Sequence, residues 1–202
     1  MPATTPTPVI GILLAAGAGR RMGMPKALVR GADGVPWVER GVRRLLEGGC
    51  RRVVVVLGAE ASTARGLVPD DPRVTAVVAA DWQSGMAASI AAGLSAAADA
   101  TVDAAAAVIT LVDLPSLPTA AVRRVIGERG IPHATPNDDT LRQAVYSGTP
   151  GHPVLVGRSH WAAIAREVRG DAGARPYLVD HGVAEVECGD LWNGHDVDEP
   201  HG

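Results

Sequence analysis

A strand and the loop that follows it constrain this chain more than any other feature. Val9-Ile10-Gly11-Ile12-Leu13-Leu14 is an apolar run interrupted only by one glycine, as expected of a buried strand. It runs into LAAGAGRRMGMPK, residues 14–26, where Gly17, Gly19 and Gly23 are interspersed with Arg20, Arg21 and Lys26. Glycine allows a ligand to approach the backbone closely. Successive exposed N–H groups form a concavity for anions, and the three side-chain cations suit it to a polyphosphate. Two familiar phosphate loops do not fit. The third glycine is one residue late for a dinucleotide fingerprint, and Pro25 interrupts the helix that should follow. The P-loop pattern fails because Lys26 is followed by Ala27.

The rest of the chain repeats the strand-then-helix theme. Pro36 opens a helix in which Trp37, Val38, Val42, Leu45 and Leu46 recur at helical spacing, and Gly48-Gly49 stops it. Val53 to Leu57 is a β-branched run typical of a buried parallel strand. A short helix over 60–67, a strand over 74–79, an alanine-rich helix to Ala98, a strand over 106–112 and a helix from Pro118-Thr119 follow. This alternation predicts an α/β fold: a three-layer α/β/α Rossmann-like sheet, mostly parallel, with right-handed crossovers. Ligands of such sheets sit at the carboxyl ends of the strands. The loop at 16–26, the turn at 58–60 and Asp113 all fall there.

The last third reads differently. A strand over 141–146 precedes a rigid turn over 148–153, with 154–156 continuing in extended form. A helix over 161–168, a glycine-rich turn at 170–175 leading into a short helix to His181, and a strand over 183–186 complete it. We expect a Pro/Thr tail over 1–8 and a single domain over 9–200, with a nucleotide-binding half (9–130) and an acceptor half (131–200).

Composition excludes several classes. A formal charge of −3 gives no basic field for nucleic acid. No apolar run reaches the length of a membrane span, and MPATTPTP lacks the regions of a signal peptide. Cys50 and Cys188 are the two cysteines, which fits a reducing cytoplasm better than a disulfide framework.

Four further segments carry candidate chemistry. Asp113, at the end of an apolar strand and before Leu114-Pro115, can hold Mg2+ on phosphate oxygens or cap the next helix. Asp196 and Asp198 in the closing GHDVDEP are candidates for a second acid, with Asp196 preferred; a solvated acidic terminus is the plainer reading. Trp82-x-x-Gly85-Met86-x-x-Ser89 places Ser84 and free N–H groups at a helix start, suited to hydrogen bonding. Gly151-His152-Pro153-Val154 and Gly170-Asp171-x-Gly173-Ala174-Arg175 complete the set. Arg175 suits a bidentate contact to oxygen, and His152 has no second histidine at zinc-ligand spacing.

Together these motifs resemble the MobA-like nucleotidyltransferases, and the GHPV and GDxGAR segments resemble their molybdenum cofactor cytidylyltransferase (MocA-like) branch. The resemblance covers roughly residues 9–200. It implies a GT-A-like fold and transfer of CMP from CTP to molybdenum-bound molybdopterin, with release of pyrophosphate. It implies Arg21, Lys26 and Asp113 as catalytic. Leu14, Ala15, Ala16, Gly17, Gly19, Lys26, Gly58, Ser84, Gly85 and Ser89 would bind the nucleotide. Gly151, His152, Pro153, Asp171 and Arg175 would face the acceptor. Asp113 and Asp196 would hold Mg2+, with Mn2+ as the alternative ion. CTP and molybdopterin are the implied substrates, and a molybdoenzyme or its chaperone a further partner. The family's usual residue is Asn at Asp81 and Thr at Glu199. Three alternatives stand beside this reading. One is a guanylyltransferase, whose branch more often has Gly at the position of Ala16. Another is an NAD(P)H-dependent oxidoreductase of the nicotine blue type, disfavoured by the glycine spacing. The last is a non-catalytic nucleotide-binding partner of a molybdoenzyme.

Overall fold

The computed structural model describes residues 7–100, 103–127, 135–171 and 173–197. The elements are β1 (Val9–Ala15), α1 (Trp37–Glu47), β2 (Arg52–Leu57), α2 (Ala61–Arg65), β3 (Val74–Val78), α3 (Met86–Ala98), β4 (Ala106–Leu111), α4 (Thr119–Ile126), β5 (Leu141–Tyr146), β6 (Thr149–Gly157), α5 (Arg158–Glu167), α6 (Arg175–Asp180) and β7 (Ala184–Glu187). Single 3-10 turns form at Lys26–Leu28 and Trp82–Ser84. The seven strands make one sheet in the order β3-β2-β1-β4-β6-β5-β7. Every pairing is parallel except those of β6, which runs against both β4 and β5. The expected α/β architecture and mostly parallel sheet are therefore present.

Strand alternation divides the core between the two faces. Leu13, Val53, Val55, Leu57 and Val108 pack with Trp37, Val38, Val42 and Leu45 of α1 and with Val122 and Val125 of α4. Ile10, Ile12, Leu14, Val54, Val56 and Ile109 pack with Ile90 and Leu94 of α3, Trp161 and Ile164 of α5 and Leu178 of α6. Gly93 brings α3 close to the sheet: a Cβ there would lie 2.6 Å from Ile12 Cγ2 and 3.1 Å from Val56 Cγ2.

The sequence expectation fails in one place. Residues 149–153 are not a turn but the first half of β6, and the turn shrinks to Ser147-Gly148, both at positive φ (52° and 78°). Such a pair matches the strand twist of a tight hairpin. Pro150 and Pro153 suggest a break because proline cannot donate to a ladder. Both escape that cost. The β5–β6 register shifts between Gln143 and Val145, next to Pro150, and the β4 ladder with β6 ends at Val154, one residue past Pro153. Smaller shifts occur at element ends. Pro36 caps α1 from outside, and α5 starts at Arg158, before Trp161.

Two outcomes are expected from this packing. Gly93→Val should lower stability by ~1–3 kcal/mol through overpacking, read as a lower urea midpoint with unchanged slope. His152 on β6 is held in its neutral form, because burial pushes its imidazole down to about 4. The unfolded chain takes up that proton near pH 6.5. Stability should therefore be complete above about pH 6.5 and be lost progressively as pH falls toward 4, by on the order of 2–3 kcal/mol. His152→Gln should flatten that part of the stability–pH curve; an unchanged slope would remove His152 as its source.

Candidate functional site

The carboxyl ends of β1 and β4 lie side by side, with Leu14 paired to Leu111 and the Val112 N–H donating to the Leu14 carbonyl at 3.0 Å. The loops leaving both strands therefore open on the same space. A cavity of about 360 Å³ forms there. Its floor is Leu14, Ala16, Leu111 and Val112, and Gly17, Ala18, Gly19 and Arg20 form one wall. The opposite wall is the start of α3 with the turn before it (Trp82, Gln83, Gly85, Met86, Ser89), and Asp171 closes the side.

Gly19 has φ +58°, and a Cβ there would run into the Met24 carbonyl. The loop therefore folds back on itself and brings Lys26 round to the cavity. There Lys26 Nζ donates to Asp113 Oδ2 at 2.7 Å, with the two side chains 15% and 16% exposed. The other carboxylate oxygen, Oδ1, is shielded from solvent and has no hydrogen-bond partner among the described residues. An orphaned buried acceptor is costly, and a carboxylate oxygen in that state suits a hard cation, which takes oxygen ligands. Mg2+ keeps most of its coordination for water and phosphate and needs only one or two carboxylates. The donor set around Asp113 thus fits such an ion, although no group of three metal-ligating side chains occurs among the described residues. The closing segment passes beside it, since the Val197 N–H donates to the Asp113 carbonyl at 3.0 Å. Asp196 is exposed and does not line the cavity, and Asp198 lies outside the described residues.

Nine of the residues singled out from sequence therefore meet in one cavity: Leu14, Ala16, Gly17, Gly19, Lys26, Gly85, Ser89, Asp113 and Asp171. Others do not line it. Ala15 faces the opposite core. Gly58 is a packing position, because a Cβ would meet the Ala16 carbonyl at 2.6 Å and Trp82 Cγ at 2.7 Å. Ser84 is exposed in the turn before α3. Arg20, not Arg21, lines the cavity; the phase of a glycine loop has no period from which to choose between neighbours.

Gly151, His152 and Pro153 on β6 and Arg175 at the start of α6 also lie outside the cavity lining, and Gly151 and Arg175 share one partner. The Gly151 carbonyl accepts from Gln143 Nε2 at 3.3 Å, and Arg175 Nη1 reaches Gln143 Oε1 at 3.5 Å. Gln143, buried at 7% exposure, was not singled out from sequence; its only signal is that it and Arg142 interrupt an otherwise largely apolar strand. Asp171 parts from this group. Its Oδ1 accepts from the Met86 N–H at 3.3 Å, and the Ala87 N–H donates to the Gly170 carbonyl at 3.0 Å, so the 170–171 turn is seated on the start of α3.

Comparison with known proteins gives the family. The family model of the MobA-like NTP transferase domain matches residues 11–186. The chain is 37% identical to a nicotine blue oxidoreductase of Paenarthrobacter nicotinovorans, over 94% of this chain and 92% of that protein. It is 34% identical to a probable molybdenum cofactor guanylyltransferase of Rhodopirellula baltica, over 58% of this chain and 54% of that protein. Among solved structures it superposes on Rv0371c from Mycobacterium tuberculosis H37Rv with a TM-score of 0.77 and 27% identity, covering 96% of this chain and 95% of that one. A second crystal structure of Rv0371c is a complex with manganese. With the signature loop, Lys26 and Asp113 gathered at the carboxyl ends of two parallel strands, the chain belongs to the MobA-like NTP transferase family of nucleotidyltransferases.

Proposed function

We propose that this protein transfers CMP from CTP to the terminal phosphate of molybdenum-bound molybdopterin, giving the cytosine dinucleotide and pyrophosphate. The observation that carries the reading is the Lys26–Asp113 pair with its unpartnered Oδ1, at the edge of a cavity walled by a glycine loop. A terminal phosphate oxygen of the acceptor attacks the α-phosphorus of CTP. The bond from that phosphorus to the bridging oxygen breaks, and pyrophosphate leaves with the electron pair. A phosphate monoester has a second pKa near 6 and is mostly dianionic at neutral pH, so no general base is required. Catalysis is then positioning and charge stabilisation. The loop N–H groups and Lys26 hold the triphosphate, with Arg20 and Arg21 adding positive charge around it. Asp113 would hold a divalent ion, Mg2+ or Mn2+, with Asp196 as the candidate second ligand. Such an ion neutralises charge on phosphate oxygens. The acceptor half, 131–200, would supply Gly151, His152, Pro153 and Arg175 to the pterin side, while Asp171 reaches across to the nucleotide. The setting would be the cytoplasm, consistent with two buried free thiols, and a molybdoenzyme or its chaperone would receive the product.

CTP is preferred over GTP because Ala16 puts a Cβ on the cavity floor, leaving less room for a purine. That methyl is packed in place, 2.8 Å from where a Cβ on Gly58 would fall. A second reading rests on the 37% identical relative: NAD(P)H-dependent reduction of nicotine blue. Incubating the purified protein with CTP or GTP, a divalent ion and molybdopterin, and measuring pyrophosphate, tests the first reading. NADPH oxidation in the presence of nicotine blue, without pyrophosphate release, would replace it with the second.

Under the first reading, Lys26→Ala and Asp113→Asn should each reduce turnover by at least ~10²-fold, the scale of one lost electrostatic contact, with the thermal midpoint within a few degrees of wild type. Near-normal turnover in either variant would remove that residue from the mechanism. Ala16→Gly should lower the ratio of CTP to GTP efficiency by about ten-fold, the scale of a single methyl in a pocket. An unchanged ratio would show that the floor does not read the base.

A further inference from the structure

A second cavity, of about 450 Å³, opens at the same end of the sheet, between the β5–β6 hairpin and the chain segment after β7. We infer that it is the subsite for the flat heterocycle of the acceptor, a nitrogen ring system bearing oxo and amino groups. This rests on the nucleotidyl-transfer reading above and adds a ring subsite to the acceptor residues named there.

The cavity is built of groups that such a ring uses. Trp192 and Tyr146 meet edge to face, with centroids 5.4 Å apart and planes at 84°. Aromatic walls favour flat ligands. Ser147, Thr149, Asn193 and His195 line the remaining sides and offer donors and acceptors to ring edges. Asn193 already accepts from the His195 N–H through Oδ1 at 3.1 Å, which orients its amide N–H groups as donors. The walls are fixed rather than loose. The Tyr146 hydroxyl donates to the His152 carbonyl at 2.6 Å. Glu187 Oε1 accepts from both the Ser147 and Gly189 N–H groups, at 3.1 and 2.6 Å, and ties the hairpin to the segment after β7. Gly194 has φ +79°, and a Cβ there would lie 2.5 Å from Tyr146 Cδ2, so only glycine lets the segment cross the tyrosine ring.

The cavity is also aligned with the reacting end. The segment that forms it continues to Val197, whose N–H donates to the Asp113 carbonyl at 3.0 Å. Sheet order puts β5 two strands from β4. At about 4.8 Å per strand spacing, the ends of β4 and β5 are about 10 Å apart. Tyr146 and Trp192 pack with the core on the α1 and α4 face, whereas Leu14, Trp82 and Met86 of the first cavity pack on the α3 face, so the phosphorylated side arm must cross the end of the sheet beside the Val197–Asp113 contact to bring its phosphate to Lys26 while the ring lies against Trp192.

Fluorescence titration of the intact protein with 6-hydroxymethylpterin, a free pterin without phosphate, tests this. Wild type should bind it saturably. Trp192→Ala and Thr149→Arg, the latter filling the cavity from an exposed position, should each weaken binding at least ten-fold. CTP affinity with Mn2+ should change less than two-fold. Lys26→Ala should bind the pterin as wild type does. Equal pterin binding by wild type and the Thr149→Arg variant, or none by wild type, overturns the subsite. If the cavity variants lose the pterin but no pyrophosphate forms from CTP or GTP, the subsite stands and the transfer reading falls. If nicotine blue rather than the pterin binds wild type and is lost in both cavity variants, the same ring chemistry is recognised from the pigment, and its role as a pterin site is overturned.

Discussion

The ion pair between Lys26 and Asp113 joins two parts of the chain that are 87 residues apart. It forms only because β1 and β4 are neighbours and parallel, so that the loop leaving one meets the loop leaving the other. Remove the adjacency and the glycine loop has cationic side chains but no acid opposite. Remove the parallel sense and the acid moves to the far end of the sheet. The right-handed crossovers of an α/β sheet deliver both conditions from local chain chemistry, and the site is a consequence of that topology. At 2.7 Å with both side chains mostly shielded, the pair is also incomplete: Lys26 satisfies one carboxylate oxygen and, among the described residues, the other has no hydrogen-bond partner. A fold that needed only a structural bridge would gain nothing from an orphaned Oδ1. A site that must receive a cation together with a polyanion gains from it, because the energetic deficit is removed only on binding.

The same features explain how much was legible beforehand. Residues 9–15, 53–57 and 106–111 are runs of apolar or small residues, and α3 and α4 begin where glycine or proline permits. Parallel strands buried on both faces read as such runs, so the fold of the first 127 residues followed from local signals. Lys26 and Asp113 followed too, since each ends a recognisable segment at a strand's carboxyl end. The failures share one cause. β6 was hidden because Pro150 and Pro153 read as punctuation, and only the partner strands reveal that a register shift and the end of a ladder exempt them. Gln143 and the Tyr146–Trp192 cavity depend on strand pairing across the hairpin and on a segment that returns after β7. Such contacts have no period and no motif to betray them.

Asp171 shows where motif reading and geometry part. Its sequence neighbours, Arg175 above all, turn to Gln143 and the β5–β6 side. Its own carboxylate lies across the start of α3, within hydrogen-bond reach of the Met86 N–H. Negative charge is favoured at a helix N-terminus, so the contact is stabilising as it stands. It also bears on the polyphosphate: an acid here discourages a second anion at the same amides and leaves the glycine loop and Lys26 as the phosphate end. Under the proposed nucleotidyl transfer, ribose and base would lie toward Trp82, Gln83 and Ser89. Gly170 and Asp171 lie against α3 and Arg175 reaches Gln143, so residues close in sequence touch both halves of the site.

That connection bears on why the two candidate activities share one scaffold. Nucleotidyl transfer requires a triphosphate grip, a shielded acid and a second substrate held in line with them. Hydride transfer to a flat pigment requires a nucleotide grip and a flat aromatic-walled pocket, with no role for a cation at an unpartnered carboxylate. The signature loop and the Tyr146–Trp192 cavity serve either chemistry, and for that reason neither distinguishes them. Asp113 does. Its Oδ1 has a purpose in phosphoryl chemistry and is a liability in hydride chemistry, where a hydrogen-bond donor would be expected beside it. The physical weight of the site therefore falls on the phosphorus, and the acid at the end of β4 is the residue by which the two reactions are told apart.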